Sequence, residues 1–477
     1  MHESRPDIVM VMTDQHAARV MGCAGDPHAR TPGLDAFAAQ GTRFANAYCA
    51  SPLCVPSRMA FLSGLEPHES GVLNNDTYLP SDIPTLAHAL GGAGYDCHLV
   101  GRMHFNGPDQ LHGFADRPIG DIGASYPGGT PPDIGALTKG RGNRGAELEY
   151  SGAGETSYQA YDHAVADHAL VSLAQLKAAR AAGGKPFFLL ISLFCPHPPY
   201  IARRSDFDAF DDLPPPELAP PESDHPAIAA WRKVGATETV TPEAVRTSRQ
   251  AYYGLVTMVD RIFGGVMEAL GEAENTVTIY TSDHGECLGE RGLWWKSVMY
   301  DQSVKVPMIV RGPGFAADVV DDRVCGLLDL SATILGLGQT GLPGQRGRDL
   351  RDVEGWENIV FSSYYGGLMN IATADVRHRM VRHGRFKLVA YDEQDPQLFD
   401  LRADPDELHN LSADPAHMGT RQELQALVRS GWDSRTISAQ QLVNVARIAQ
   451  IKNWVRATCP PEPYRWRDPD PGRNRYE

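Results

Sequence analysis

The chain's 477 residues, 42% hydrophobic and 22% charged, have the balance of a soluble globular protein able to bury a large core and to divide into one large and one smaller domain. A net charge of −15 argues against nucleic acid or an anionic membrane as a partner, since both repel a polyanionic surface. The apolar runs are too short to span a bilayer, no basic segment leads into an apolar stretch as in a secretory signal, and the eight cysteines show no paired spacing, so a cytoplasmic protein with reduced thiols is expected.

In chain order, Ile8 to Met12 reads as a buried parallel strand with Asp14 just past its end, the edge where open α/β sheets place their ligands. Thr31 to Gln40 and Ile83 to Gly91 read as helices, and Cys97 to Val100 as the next strand. Tyr161 to Ala182 predicts a long helix leading into a strand over Phe187 to Phe194. Thr241 to Ala273 shows helical spacing, and Thr276 to Thr281 is a further buried strand ending at Asp283. This alternation predicts an α/β fold, a large and mostly parallel sheet flanked by helices. Residues 117–155 and 202–225, rich in Gly, Pro and Asp, are expected to form loops over a site rather than linkers. Past about residue 365 the pattern changes to short strands around Phe386 to Tyr391 and two helical stretches reaching residue 458. We therefore divide the chain into a main domain over 1–365 and a smaller α+β subdomain over 366–477. The tail Cys459 to Glu477, dense in Pro and Arg, has no core pattern and is expected to pack on a neighbouring subunit of a homo-oligomer. No internal repeats are visible.

The most informative stretch is Cys54-Val55-Pro56-Ser57-Arg58. By itself it also suits a buried structural cysteine before a helix-starting Pro-Ser. Its neighbours decide the matter. They are Asp7 to Gln15, Thr31 to Asp35, Phe44 to Tyr48, Arg58 to Gly64, Gly101-Arg102-Met103-His104-Phe105, Pro196-His197-Pro198-Pro199-Tyr200 and Thr281 to Glu286. Leu398 to Leu401, Asp404 to Glu407 and Asn410-Leu411 follow. In this order the blocks resemble type I, formylglycine-dependent sulfatases of the alkaline phosphatase superfamily. The nearest resemblance is to choline sulfatases, arylsulfatases and phosphonate monoester hydrolases, and it covers most of the chain.

The resemblance implies an alkaline phosphatase-like fold and an enzyme that hydrolyses a small-molecule sulfate ester, aryl or alkyl, to alcohol and inorganic sulfate. It implies that a maturation enzyme oxidises Cys54 to formylglycine. One hydroxyl of the hydrated aldehyde then attacks the ester, and the other later expels the bound sulfate. Arg58 would hold that diol. Arg102 and His104 stand where these sulfatases carry Lys-x-His, the histidine taking a proton as sulfate is eliminated. Arg102 keeps the positive charge but not the point-like geometry of lysine. His197 corresponds to a histidine that protonates the leaving oxygen, and Lys296 to a second sulfate-binding cation. Asn75 aligns with a substrate-contacting asparagine, although Asn74-Asn75-Asp76 also suits a turn.

Asp14 and Asp283, each just past a strand, are hard oxygen ligands for one divalent cation, with Gln15 and His284 beside them. Many sulfatases carry Asp-Asp and Asp-Asn at these places and bind calcium. The imidazole of His284 shifts preference toward manganese. The block Arg102 to Phe114 resembles choline sulfatases, yet the tryptophans that hold choline by cation–π contact are missing, since none occurs before Trp231. The alternatives are a phosphonate monoester or phosphodiester hydrolase with the same machinery, which His104 disfavours, and an inactive or binding-only homologue. Cys195 and Cys287 match no family role, and the pair Trp294-Trp295 reads as packing.

Overall fold

The computed structural model describes residues 5–134, 144–221, 224–366, 377–392 and 394–476. Part of the expected loop over 117–155, and Glu477, lie outside them. Asp7–Asp14 is a strand buried along its whole length. It pairs in parallel with Phe187–Pro196 on one side and Thr276–Ser282 on the other, Val11 standing opposite Ile191 and Tyr280. A strand flanked on both edges and covered on both faces can expose no side chain, which is why it reads as one apolar run. Among the described residues these three lie in a seven-stranded sheet ordered Asp96–Gly101, Phe187–Pro196, Asp7–Asp14, Thr276–Ser282, Met308–Arg311, Thr42–Tyr48, Val319–Gly326. Met308–Arg311 runs antiparallel to both neighbours.

The alternation of the first strand sends its side chains into two cores. Ile8, Met10 and Met12 pack with the helices Cys54–Ser63 and Leu327–Leu337, through Phe61, Leu62, Leu330 and Ile334. Val9 and Val11 face Ser157–Ala181 and Pro242–Leu270, through Val165, Leu173, Val259 and Phe263. The helix expected over 83–91 starts later, at Leu86, because the Thr85 side chain caps it by accepting from the His88 N–H. The regions read as loops hold short elements as well, Arg144–Glu149, Gly152–Glu155 and Arg204–Phe207.

The second sheet is antiparallel, with Ile359–Tyr364, His378–His383, Phe386–Tyr391 and Gln397–Asp400 in chain order. It begins ahead of residue 366. The helix Met418–Arg429 covers it through Leu424 and Val428. Lys387 ties this subdomain to the main one, its buried ammonium 2.7 Å from Asp301 and 2.5 Å from Glu407.

The tail folds back on its own chain. Gly120 N–H donates to Tyr464 O (2.8 Å), Trp466 N–H to Asp121 O (3.0 Å) and Arg465 Nη2 to Thr130 O (2.7 Å). Main-chain hydrogen bonds, one arginine and the Trp466 ring against Tyr161 make this docking, which needs no periodic apolar pattern in the tail.

One glycine shows how tightly the strand ends are packed. Gly101 has φ +97°, and a Cβ there would lie 2.2 Å from Ser192 O. Gly101→Ala combines a left-handed backbone with a clash against main chain. It is expected to destabilise the protein by about 1–3 kcal/mol for the backbone alone, read as a lower melting temperature with impaired turnover.

Candidate active site

Cys54 is the first residue of the helix Cys54–Ser63, whose ten residues are all buried. The helix is anchored at its start by Ser57 Oγ donating to Asp283 O (2.5 Å) and ended by Gly64 at φ +70°. Its capping residue Leu53 supplies no side-chain acceptor, so the first N–H groups need partners elsewhere. Val55 N–H finds Asn75 Oδ1 at 3.0 Å. Asn75 thus braces the helix start besides lining the cavity above it.

Beneath Cys54 the ends of neighbouring strands bring Asp14 and Asp283 together, with Arg58 between them. Arg58 Nε donates to Asp283 Oδ2 (2.8 Å) and Nη2 to Asp14 Oδ2 (3.2 Å). Its Nη1 donates to Ser192 Oγ and to Arg102 O, both at 2.9 Å. Every group in this cluster is inaccessible to solvent. Burial alone would raise the Asp14 carboxyl, but the cations Arg102, Arg58 and Lys296 hold it well below the usual carboxylate range.

The arginines occupy one oxygen of each carboxylate and leave the other. Asp14 Oδ1 and Asp283 Oδ1 face His284 Nε2 at 3.7 and 3.6 Å. His284 Nδ1 lies 3.0 Å from Gly285 O, a carbonyl that can only accept, so Nδ1 carries the proton and Nε2 the lone pair. Burial lowers the His284 pKa and keeps the ring neutral. Lone pairs of Asp14, Asp283, His284 and Cys54 therefore converge, their ligand atoms all within 4.8 Å of one another. Such a set repels itself unless a cation sits among it, and it fits one divalent ion. Gln15 joins from the side. Its Oε1 accepts from Lys296, and its amide nitrogen donates to Glu286. Glu286 is buried and also accepts from Tyr200 OH (2.8 Å), Leu288 N–H (2.8 Å) and Trp295 N–H (2.6 Å).

On the open side, Cys54 Sγ is 3.2 Å from His284 Nε2 and 3.5 Å from Lys296 Nζ. Arg102 Nε donates to Asp14 Oδ2 (2.6 Å), Nη1 to Asp121 Oδ1 (2.9 Å) and Nη2 to His104 Nδ1 (2.9 Å). Asp121 Oδ2 also accepts the backbone N–H of His104 (3.1 Å), which stands at φ +58°. His197 follows the strand Phe187–Pro196, whose end is held by Asp162 accepting from Phe194 and Cys195 N–H at 2.7 and 2.8 Å. Burial raises that carboxyl to about 7.

All eleven candidate residues thus gather at one place. Cys54, Asn75, Arg102, His104, His197 and Lys296 line a cavity of about 340 Å³, and Asp14, Gln15, Arg58, Asp283 and His284 lie buried under it. Asp121, Ser192, Tyr200 and Glu286 also belong to the site, although the sequence assigns them no role. The tryptophan pair is buried in the core as expected. Trp294 packs against Tyr200, whereas Trp295 lines the cavity with Tyr150, Tyr158 and Phe194. Cys195 and Cys287 are buried and stand apart from the cavity lining.

Comparison with known proteins agrees with this geometry. The sulfatase family model matches residues 6–340, and that of the N-sulphoglucosamine sulphohydrolase C-terminal region matches residues 289–431. A choline-sulfatase of Rhizobium meliloti (strain 1021) is 32% identical over 492 aligned residues, spanning 95% of this chain and 91% of that protein. An arylsulfatase of Clostridium perfringens is 26% identical over 85% of this chain and 90% of its own length. The fold matches the crystal structure of a phosphonate monoester hydrolase of Agrobacterium radiobacter with a TM-score of 0.72 at 22% identity, over 91% of this chain and 96% of that one. With its strand-end carboxylates gathered around Cys54 and the match along most of its length, the chain belongs to the sulfatase family and is a sulfuric ester hydrolase.

Proposed function

We propose that the enzyme cleaves aryl or alkyl sulfate monoesters through a formylglycine at position 54, assisted by one divalent cation held by Asp14, Gln15, Asp283 and His284. The observation that supports this most directly is the position of Cys54 Sγ, 3.2 Å from His284 Nε2 and 3.5 Å from Lys296 Nζ at a helix N-terminus. The positive end of the helix dipole and an ammonium there favour a bound sulfate. When bound, the ion would polarise the sulfate oxygens and acidify the attacking hydroxyl. Arg102 and Lys296 neutralise charge from two sides, and Arg58 holds both strand-end carboxylates in place. The walls formed by Ile122, Ile134, Tyr150, Tyr158, Phe194 and Trp295 are largely apolar, which suits a single-ring or short alkyl alcohol.

The mass of the tryptic peptide ending at Arg58, from protein co-expressed with a formylglycine-generating enzyme, tests the nucleophile. An aldehyde at position 54 is expected, and an unmodified thiol would sink the proposal. Turnover of an aryl sulfate, choline sulfate, a phosphonate monoester and a phosphodiester then ranks the esters. The sulfate monoesters are expected first.

The cation has a readout apart from turnover. Dialysis against a chelator is expected to lower the melting temperature, and calcium or manganese to restore it. An ion at a hundred times its Kd stabilises by about 2.7 kcal/mol. A melting temperature indifferent to chelator and ions would contradict the site.

A further inference from the structure

The cavity's two histidines are held in opposite tautomers by partners whose roles are fixed. Arginine only donates, so the 2.9 Å contact from Arg102 Nη2 makes His104 Nδ1 an acceptor and puts that ring's proton on Nε2. A carbonyl only accepts, so the 2.7 Å contact of His197 Nδ1 with Pro198 O puts that ring's proton on Nδ1 and leaves Nε2 bare. The difference has a chemical consequence. His197 can gain a proton at Nε2 without losing its hydrogen bond. His104 cannot. An imidazolium at 104 would turn an N–H toward the guanidinium, and a bare Nε2 would require the proton on Nδ1, facing the same group.

Several contacts keep Arg102 where it is. It is fixed by Asp14, by Asp121 and by its guanidinium lying 4.8 Å over the Phe194 ring. Asp121 holds the main chain of His104 as well as Arg102. One carboxylate thus holds both partners of the Arg102–His104 contact in place.

We infer that Arg102 withdraws His104 from proton transfer and makes it a fixed N–H donor toward the substrate, leaving His197 as the proton-carrying histidine of the cavity. The inference rests on the reading of position 54 as formylglycine. In the elimination step, His197 Nε2 takes the proton from the free hydroxyl of the sulfated diol, directly or through one water. The electrons of that O–H bond form the aldehyde C=O, the carbon–oxygen bond to sulfate breaks, and sulfate leaves with the electron pair. The proton then passes from His197 to solvent as water rehydrates the aldehyde. Asp121 acts through Arg102 and His104 and is a positioning residue.

Two measurements test this, and the first does not depend on the aldehyde. Nitrogen NMR of histidine-labelled protein, with the His104 signals assigned by their loss in His104→Gln, is expected to show a protonated Nε2 and a bare Nδ1. The reverse pattern would overturn the inference whatever stands at position 54. The second uses protein in which mass spectrometry shows the aldehyde. Glutamine places an N–H near the Nε2 position, so His104→Gln is expected to keep most of kcat/KM, whereas His104→Ala loses about 10²–10³-fold, the effect of removing one positioned donor. His197→Ala, mixed with an aryl sulfate, is expected to accumulate a sulfate adduct on residue 54, seen in the intact mass. His104→Gln falling as far as His104→Ala would refute the assignment. So would an adduct on His104→Ala in place of His197→Ala, or its absence from both.

Discussion

Cys54→Ala is expected to lower sulfate-ester turnover by about 10⁴-fold or more, the scale of removing a covalent nucleophile, while the protein stays folded. Alanine is the best helix former, and Cys54 makes no hydrogen bond that holds the helix, since Ser57 and Asn75 carry that load. The melting temperature of the variant should therefore lie close to that of the parent. Turnover near the parent's would remove covalent catalysis from the account. Cys54→Ser refines the test. A serine oxygen can attack the ester but has no second hydroxyl with which to expel sulfate. One equivalent of alcohol should be released in a burst, followed by a stall.

Arg58→Met is expected to damage the protein itself. Arg58 lies at 0% exposure between two carboxylates at 0% exposure. Methionine fills part of the volume but leaves Asp14 and Asp283 without their shared counter-charge. Removing one partner of a buried ion pair destabilises by about 3–5 kcal/mol. The loss also reaches the cation site. With Arg58 gone, Asp283 Oδ2 loses its Arg58 donor and Asp14 Oδ2 keeps only Arg102, so the two carboxylates are no longer tied to one group and hold the ion less firmly. The expected result is a much lower melting temperature that added calcium or manganese only partly restores. An Arg58→Met protein as stable as the parent would mean that the cluster is neutralised by some other group. Arg102→Lys should be milder, because lysine keeps the charge beside Asp14 and gives up only the fork that reaches Asp121 and His104.

The main sheet was legible because a strand covered on both faces cannot alternate. The continuous runs at Ile8 to Met12 and Thr276 to Thr281 mark the buried strands and their functional ends. The residues of the site that lie in motifs were legible by resemblance. What escaped lies in contacts between distant segments. Asp121 sits in a Gly- and Pro-rich stretch with no periodicity, and its role appears only once the fold sets it against Arg102. Glu286 was visible beside His284, but its function depends on Gln15, far away in the chain. Trp295 was read with Trp294 as a packing pair. Both pack in the core, and Trp295 in addition forms a wall of the cavity, a second role that its place beside Trp294 does not reveal.

The hydrogen bonds from Gly120 and Trp466 that fasten the tail to the loop of Asp121 also set an order of events during synthesis. The Asp121 loop is not braced until residue 466 has left the ribosome, late in a chain whose residue 54 is made early. Cys54, only 1% exposed once folded, is closed to any modifying enzyme that needs an extended peptide. The conversion proposed for position 54 therefore has to come before the helix Cys54–Ser63 is packed into the core.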